Sequence, residues 1–269
     1  PPILRPISRS KAGGSRRGRS RRSEPGGAPA ASGYHGQVSP APTRFLAGLV
    51  AALATILVLL GITVGTLLTP FWVFGEQDRA GSTRLTGYTG EEVRIVTGAI
   101  LSDLIVGPPE FDVAARGEPV LSEREREHMR NVRTVILAFI VVASLAGIAL
   151  LTTRRLTGGS RGFWRGVAVG SALLACSVAA LGGFVLVAFD LAFETFHRLF
   201  FAAGTYLFDP LSERLVQLFP EQFWYDTALA AGILLILLSL ATVALARRRL
   251  RRGSAAVPVP GATLGATAS

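Results

Sequence analysis

Four apolar stretches, each long enough to cross a bilayer and each free of charged residues, constrain this chain more than anything else in it. They run over Phe45–Leu68, Thr134–Thr153, Gly166–Phe189 and Thr227–Ala246. A helix rises about 1.5 Å per residue, so about 20 apolar residues cover a hydrocarbon core of about 30 Å. Lipid offers no partner to a free N–H or C=O, so each stretch is expected to be helical. The predicted fold class is all-α integral membrane: four transmembrane helices with helical extracytoplasmic loops. A cleaved signal sequence is the alternative for the first stretch. It fits poorly, because the run is too long for an h-region and GTLLTPFWVF after it holds no clear cleavage signal.

The basic residues then orient the spans. Of the 28 Lys+Arg residues, nine lie before the first span or at its edge. Four, Arg154, Arg155, Arg161 and Arg165, sit between the second and third spans, and five follow the fourth in RRRLRR. The other ten, and every acidic residue except Glu24, fall in the two remaining connections. Cytoplasmic loops carry the Lys/Arg excess, which puts both termini and the short middle connection inside. Residues 69–133 and 190–226 are then the outer loops, and 44–246 the transmembrane domain. The Pro-, Gly-, Ser- and Arg-rich stretch 1–43 lacks the apolar content to fold and is expected to be a disordered cytoplasmic tail, as is 247–269. Its RRGRSRR segment is read as a positive-inside anchor, with no nucleic-acid partner. A single cysteine, Cys176, inside the third span, excludes an intrachain disulfide or a cysteine metal framework.

The chemistry is expected in the outer loops. Thr89 with Glu92, and Ser122 with Glu125, have capping-box spacing. The first opens a loop helix whose Val93, Val96, Ile100, Leu101 and Leu104 fall near one face. The second opens a helix with no breaker before the second span, so the two should form one rod. Leu121, Glu125, His128 and Val132 share a face of it. In FETFHRLFF, the phenylalanines at 189, 193, 196 and 200 make one stripe, and Asp190, Glu194 and His197 a second beside it. That pattern predicts an amphipathic helix continuing from the third span. Glu194, one turn before His197, is placed to hold a ring nitrogen and set its tautomer. A short connection makes the second and third spans antiparallel neighbours, so His128 and His197 could meet at one depth. Further on, a short helix over 211–218 ends at Pro220, and Phe219, Phe223, Trp224 and Tyr225 read as an interfacial aromatic belt. There is no GxSxG, Walker loop, HExxH or paired CxxC.

Two stretches together carry a family resemblance. FHRLFFAAGTYLFDPLSERLVQLFPEQFWYD resembles the region before the last span in the bacterial lipoprotein intramolecular transacylases, which are four-span membrane proteins. LSEREREHMRNVRTVI is similar to the same family's stretch entering its second span. Asn131, Tyr206 and Glu213 depart from residues common there, Asp, Trp and Asp, and mark a distant branch. The resemblance implies a multi-pass protein of the bacterial inner (plasma) membrane. It implies transfer of the sn-2 acyl chain of a diacylglyceryl-cysteine lipoprotein to that cysteine's own amine, giving a lyso-form lipoprotein. The family's functional histidines fall on His128 and His197. Beside them, Glu125 or Glu194 is placed to orient a ring, and the second imidazole or Arg198 to stabilise the oxyanion or protonate the leaving hydroxyl. Membrane lipids and the diacylated lipoprotein are the implied partners, with no metal and no cofactor. Two alternatives remain at this point: a non-enzymatic lipid- or peptide-binding protein of the same fold, and a bis-histidine haem or metal protein.

Overall fold

The computed structural model describes residues 41–252, with side chains from Arg44 onward. In chain order the elements are α1 (Ala41–Leu67), α2 (Pro70–Ala80), α3 (Ser82–Thr86), α4 (Gly90–Ile105), β1 (Ala114–Ala115), β2 (Glu118–Pro119), α5 (Glu123–Leu156), α6 (Arg161–Val187), α7 (Phe189–Phe200), α8 (Arg214–Leu218) and α9 (Glu221–Arg252). Helices α1, α5, α6 and α9 are long and apolar enough to cross a membrane, as the four stretches require. Both expected tails lie outside the described residues, except where helices enter them. α1 begins at Ala41, and α9 carries on through the arginine run to Arg252. Arginine is a good helix former, and positive charge suits a helix C-terminus, so the rod does not stop where its apolar part does.

Helix order in the bundle differs from chain order. α1 packs along both α5 and α6, and α6 packs along α9. The second and third spans are therefore not neighbours, in spite of their short connection, because α1 lies between them. Glycines on α6 explain the arrangement. A Cβ built on Gly166 or Gly170 would overlap the carbonyl oxygens of Gly48 and Ala52 in α1, and one on Gly162 would stand 3.2 Å from the Arg44 oxygen. Small residues at this spacing let two backbones approach as larger ones cannot. α1 thus has a seat on α6 that α5 lacks.

Above the bundle, the two long connections make one cap. Its core joins Val93, Val96, Ile100 and Leu104 of α4 to Phe111, Val113, Val120 and Leu121, Met129 of α5, and Leu215 and Leu218 of α8. Both capping boxes form, at Thr89–Glu92 and Ser122–Glu125. A two-residue β1–β2 hairpin, turning through Arg116 and Gly117 in the left-handed region, is the one departure from helix and coil in the cap. Although Thr69 as N-cap, Pro70 at the first turn and Gly81 as C-cap mark the ends of α2, hydrophobic periodicity gives no sign of α2 and α3. Their buried face is polar: Gln77 donates to the Leu218 carbonyl at 2.9 Å and to the Thr97 hydroxyl at 3.0 Å, and Ser82 donates to the same carbonyl at 2.8 Å. A periodicity search sees apolar faces and passes over such a pair. Phe223, expected in an interfacial belt, instead packs with Val73 and Ala80 in a small core under the cap.

Candidate active site

The α5 side of the site is set by its first turn. The Ser122 hydroxyl accepts from the Glu125 N–H, and the Glu125 carboxylate accepts from the Ser122 N–H at 2.7 Å. The other carboxylate oxygen accepts from the Leu215 N–H at 2.6 Å, and the residue is fully buried. Glu125 therefore pins α8 to the head of α5 through backbone groups, whereas the sequence suggested that it orients an imidazole. Glu125→Ala strands the buried Leu215 N–H and removes half of a capping box. A loss of about 1–3 kcal/mol is expected, seen as a lower melting temperature of the detergent-solubilised chain. An unchanged melt would show that this anchor carries no weight.

His128 follows on the same face. It is 7 % exposed, and its Nδ1 has no hydrogen-bond partner among the described residues. Phe201 and Phe208 stand 5.0 Å and 5.3 Å from its ring, the latter edge-on. The ring's surroundings are largely apolar. Arg124 holds Phe208 in place: it stacks over that ring at 4.8 Å, pairs with Glu213 at 3.3 Å and bonds the Leu207 carbonyl.

α7 does not continue α6. The chain leaves helical geometry at Ala188 (φ −139°, ψ 54°), and α7 starts afresh. Phe189 then packs edge-on to Tyr225 at 5.4 Å, and Phe193 lies 6.2 Å from Trp224, so the new helix leans on the head of α9. The lean carries His197 back toward α5, across the gap that α1 opens between α5 and α6. His197 Nδ1 lies 2.8 Å from the Phe193 carbonyl. A carbonyl only accepts, so Nδ1 carries the proton and Nε2 the lone pair. The tautomer is set by backbone, where the sequence offered Glu194. Glu194 instead pairs with Arg198 at 2.5 Å. Burial pushes the His197 imidazole below its ordinary pKa, and the bond to Phe193 offsets part of that.

The two imidazoles stand 6.3 Å apart, centroid to centroid, with planes 21° from parallel. They are too far apart to bond each other and near enough to flank one small group. Phe193, Phe201 and Tyr206 wall His197 at 4.2 Å, 5.6 Å and 5.0 Å. Sequence reasoning paired the histidines but missed Phe201, the wall they share, and Phe208, which walls His128 alone. Phe201 lies one helical turn past His197, and that spacing was the available signal. The arrangement suits proton transfer in a confined, largely apolar enclosure. Among the described residues, no group of three or more His, Cys, Asp and Glu side chains is placed to hold a metal.

Comparison with known proteins adds the following. The model of the family described as lipoprotein intramolecular transacylase Lit matches residues 48–224. An uncharacterized protein of Aquifex aeolicus (strain VF5) is 28% identical over 144 residues, 51% of this chain, and the match spans 61% of that protein's length. The in meso structure of the membrane integral lipoprotein intramolecular transacylase Lit from Bacillus cereus superposes with a TM-score of 0.69. It is 18% identical and covers 81% of this chain and 100% of its own. A variant of that protein with one histidine replaced by alanine gives a TM-score of 0.58 at 19% identity, over 80% of this chain and 97% of its own. At such identities the structural likeness speaks for the fold, and the family match over most of the chain speaks for kinship. By that match, the chain belongs to the lipoprotein intramolecular transacylase family.

Proposed function

We propose that this protein moves the sn-2 acyl chain of a diacylglyceryl-cysteine lipoprotein to the α-amine of the same cysteine. The observation that carries the reading is the pair of neutral-tending, facing imidazoles in an aromatic enclosure just above the bundle. His128 precedes the first uncharged residue of its span, Thr134, by six positions, which is about 9 Å of helix.

The reaction needs no protein nucleophile. The cysteine α-amine, with a pKa of about 8, attacks the ester carbonyl in its unprotonated form. A C–N bond forms, and the nitrogen gives up a proton to Nε2 of His197. The C–O bond to glycerol then breaks, and the proton held on His197 Nε2 passes to the departing oxygen. His128, kept neutral because burial and the neighbouring ring hold its pKa down to about 4, donates a hydrogen bond to the charge that develops on the carbonyl oxygen. One proton has passed from amine to glycerol hydroxyl, and both rings end as they began. Tethering amine and ester in one molecule supplies the proximity that two free lipids would lack. Arg198, one residue past His197 and anchored by Glu194, is assigned a role in stabilising charge beside the site. The test is mass spectrometry of a synthetic diacylglyceryl lipopeptide incubated with the purified protein. Conversion to the N-acyl lyso-form, of unchanged total mass but altered fragmentation, is the expected result. Binding without conversion would leave a lipid-binding protein of this fold.

The same assay gives a pH dependence. A base accepts a proton only when unprotonated, so the rate falls as pH falls through its pKa. Burial holds His197 below the ordinary value of about 6.5, so the acid limb is expected below that pH once the amine's own titration is divided out. In an interacting pair the apparent value belongs to both rings. A corrected limb above pH 7 would overturn the assignment.

The cap is assigned to the outer face and both termini to the cytoplasm, on the arginine distribution. In a Cys176→Ser background, Glu118→Cys in the exposed cap hairpin should react with an impermeant thiol reagent on intact cells. Ser160→Cys, between α5 and α6, should react only after lysis. The reverse pattern would put the histidines on the wrong side for a lipoprotein substrate.

A further inference from the structure

At the end of the bundle away from the cap, α5, α6 and α9 enclose a cavity of about 410 Å³. Its wall includes Arg154 from α5, Arg161 and Trp164 from α6, and Arg249, Leu250 and Arg252 from α9. Arginines at a span end are ordinarily a solvated topology signal. Two features set this group apart. First, its side chains converge from three helices on one concavity instead of radiating from separate ends.

Second, three of these charges, on Arg154, Arg249 and Arg252, meet no carboxylate among the described residues. On the cap side, arginines find carboxylates: Arg79 with Glu76, Arg94 with Asp78, Arg116 with Glu92, Arg130 with Glu123. At the opposite end no such pairing is open to Arg154, Arg249 and Arg252 among the described residues, because 134–189 and 227–252 contain no Asp or Glu. Arg154, Arg249 and Arg252 line a pocket whose missing counter-charge has to come from outside those segments. The Arg249 guanidinium, a planar donor fork, lies 5.8 Å from the centre of the Trp164 ring. Such forks match the oxygens of a phosphodiester two at a time.

The surroundings choose among phosphate sources. Trp164 is a residue that settles at the lipid headgroup level. Leu151 and Leu245, a turn or so toward the hydrocarbon on two of the same helices, leave about half their surface uncovered, 57 % and 47 %. A ligand whose phosphate meets the arginines thus has apolar helix surface beside it for acyl chains, which a free phosphate would leave unused. We propose that this cavity binds the headgroup phosphate of an anionic glycerophospholipid and so ties the α5–α6 connection to the end of α9. Basic pockets between membrane helices are suited to such headgroups. The proposal stands apart from the acyl-transfer reading, since it uses none of the residues of the cap.

The test is native mass spectrometry of the full chain released from a neutral detergent, titrated with dioleoyl phosphatidylglycerol or dioleoyl phosphatidylcholine. The expected result is at least a tenfold preference for phosphatidylglycerol. Inorganic phosphate at millimolar concentration should leave that adduct in place. The Arg154→Gln/Arg249→Gln/Arg252→Gln variant should lose the preference, and Arg247→Gln/Arg248→Gln/Arg251→Gln, with the same charge removed outside the cavity, should keep it. A photoreactive phosphatidylglycerol on the unaltered protein should mark peptides containing 154–164 and 249–252. This arm holds even if the triple variant does not fold. Equal binding of the two lipids, full displacement by inorganic phosphate, equal loss in the control variant, or adducts spread round the whole perimeter would each overturn the proposal.

Discussion

Replacing His197 by alanine is expected to lower acyl transfer by about 10²–10⁴-fold while the protein stays folded and inserted. That range is what a positioned general acid or base typically contributes. The fold should survive because the ring is only partly buried and its one polar contact in the structure is to a carbonyl of its own helix. His128 requires more care. Its ring is 7 % exposed between Phe201 and Phe208, so alanine opens a cavity as well as removing a hydrogen-bonding group from the site. His128→Gln keeps most of the volume and should show a comparable loss of rate with a smaller loss of stability. Tyr206→Phe keeps the ring against His197 and should retain most activity. Lipopeptide conversion and thermal melts of the same preparations separate the two effects. Full activity in both histidine variants would exclude the mechanism. Loss of folded protein in both would favour a packing role for the rings.

Gly166→Leu is expected to have the largest effect on stability. A Cβ at that position already overlaps the Gly48 carbonyl, which belongs to backbone and cannot rotate away. Overpacking a core typically costs about 1–3 kcal/mol when side chains can shift. Here α1 itself must move, so the cost is expected at or beyond the top of that range. A marginally stable protein, at about 5–15 kcal/mol, loses much of its folded population to such a change. α1 is also what α5 packs on, so the displacement should reach the histidine pair. Gly182→Leu on the same helix meets open space and should be tolerated. Size-exclusion profiles and melts of the two variants in one detergent provide the measure. A Gly166→Leu protein as stable as Gly182→Leu would show that α1 does not depend on this seat.

Much of the architecture is legible in the chain because it is local. Uncharged runs of span length announce four membrane helices, since one segment's composition decides whether it can enter lipid. The two capping boxes announce the starts of α4 and α5, since each is a contact between residues three apart. The continuity of α5 from the cap into the bundle follows from the lack of a breaker. The two histidines stand out because the first tail holds the only other one, His35.

The tertiary structure decided the rest, and the reasons are pairwise. The expected contact between the second and third spans fails because the glycine face of α6 admits α1, and nothing in either span alone names its partner. The expected straight passage from α6 into the FETFHRLFF helix fails at Ala188, where no proline warns of a break. The bend there is matched by Phe189 and Phe193 packing on residues of α9 more than thirty positions away. Glu125 and Glu194 looked like orienting carboxylates by spacing, yet their oxygens serve the Leu215 N–H and Arg198, partners that only the folded chain supplies. Local periodicity by itself determined that this is a four-span helical membrane protein with a histidine near the cap end of two of its helical segments. That those imidazoles face each other across 6.3 Å depends on an intruding helix and an unannounced bend, both set by contacts distant in sequence.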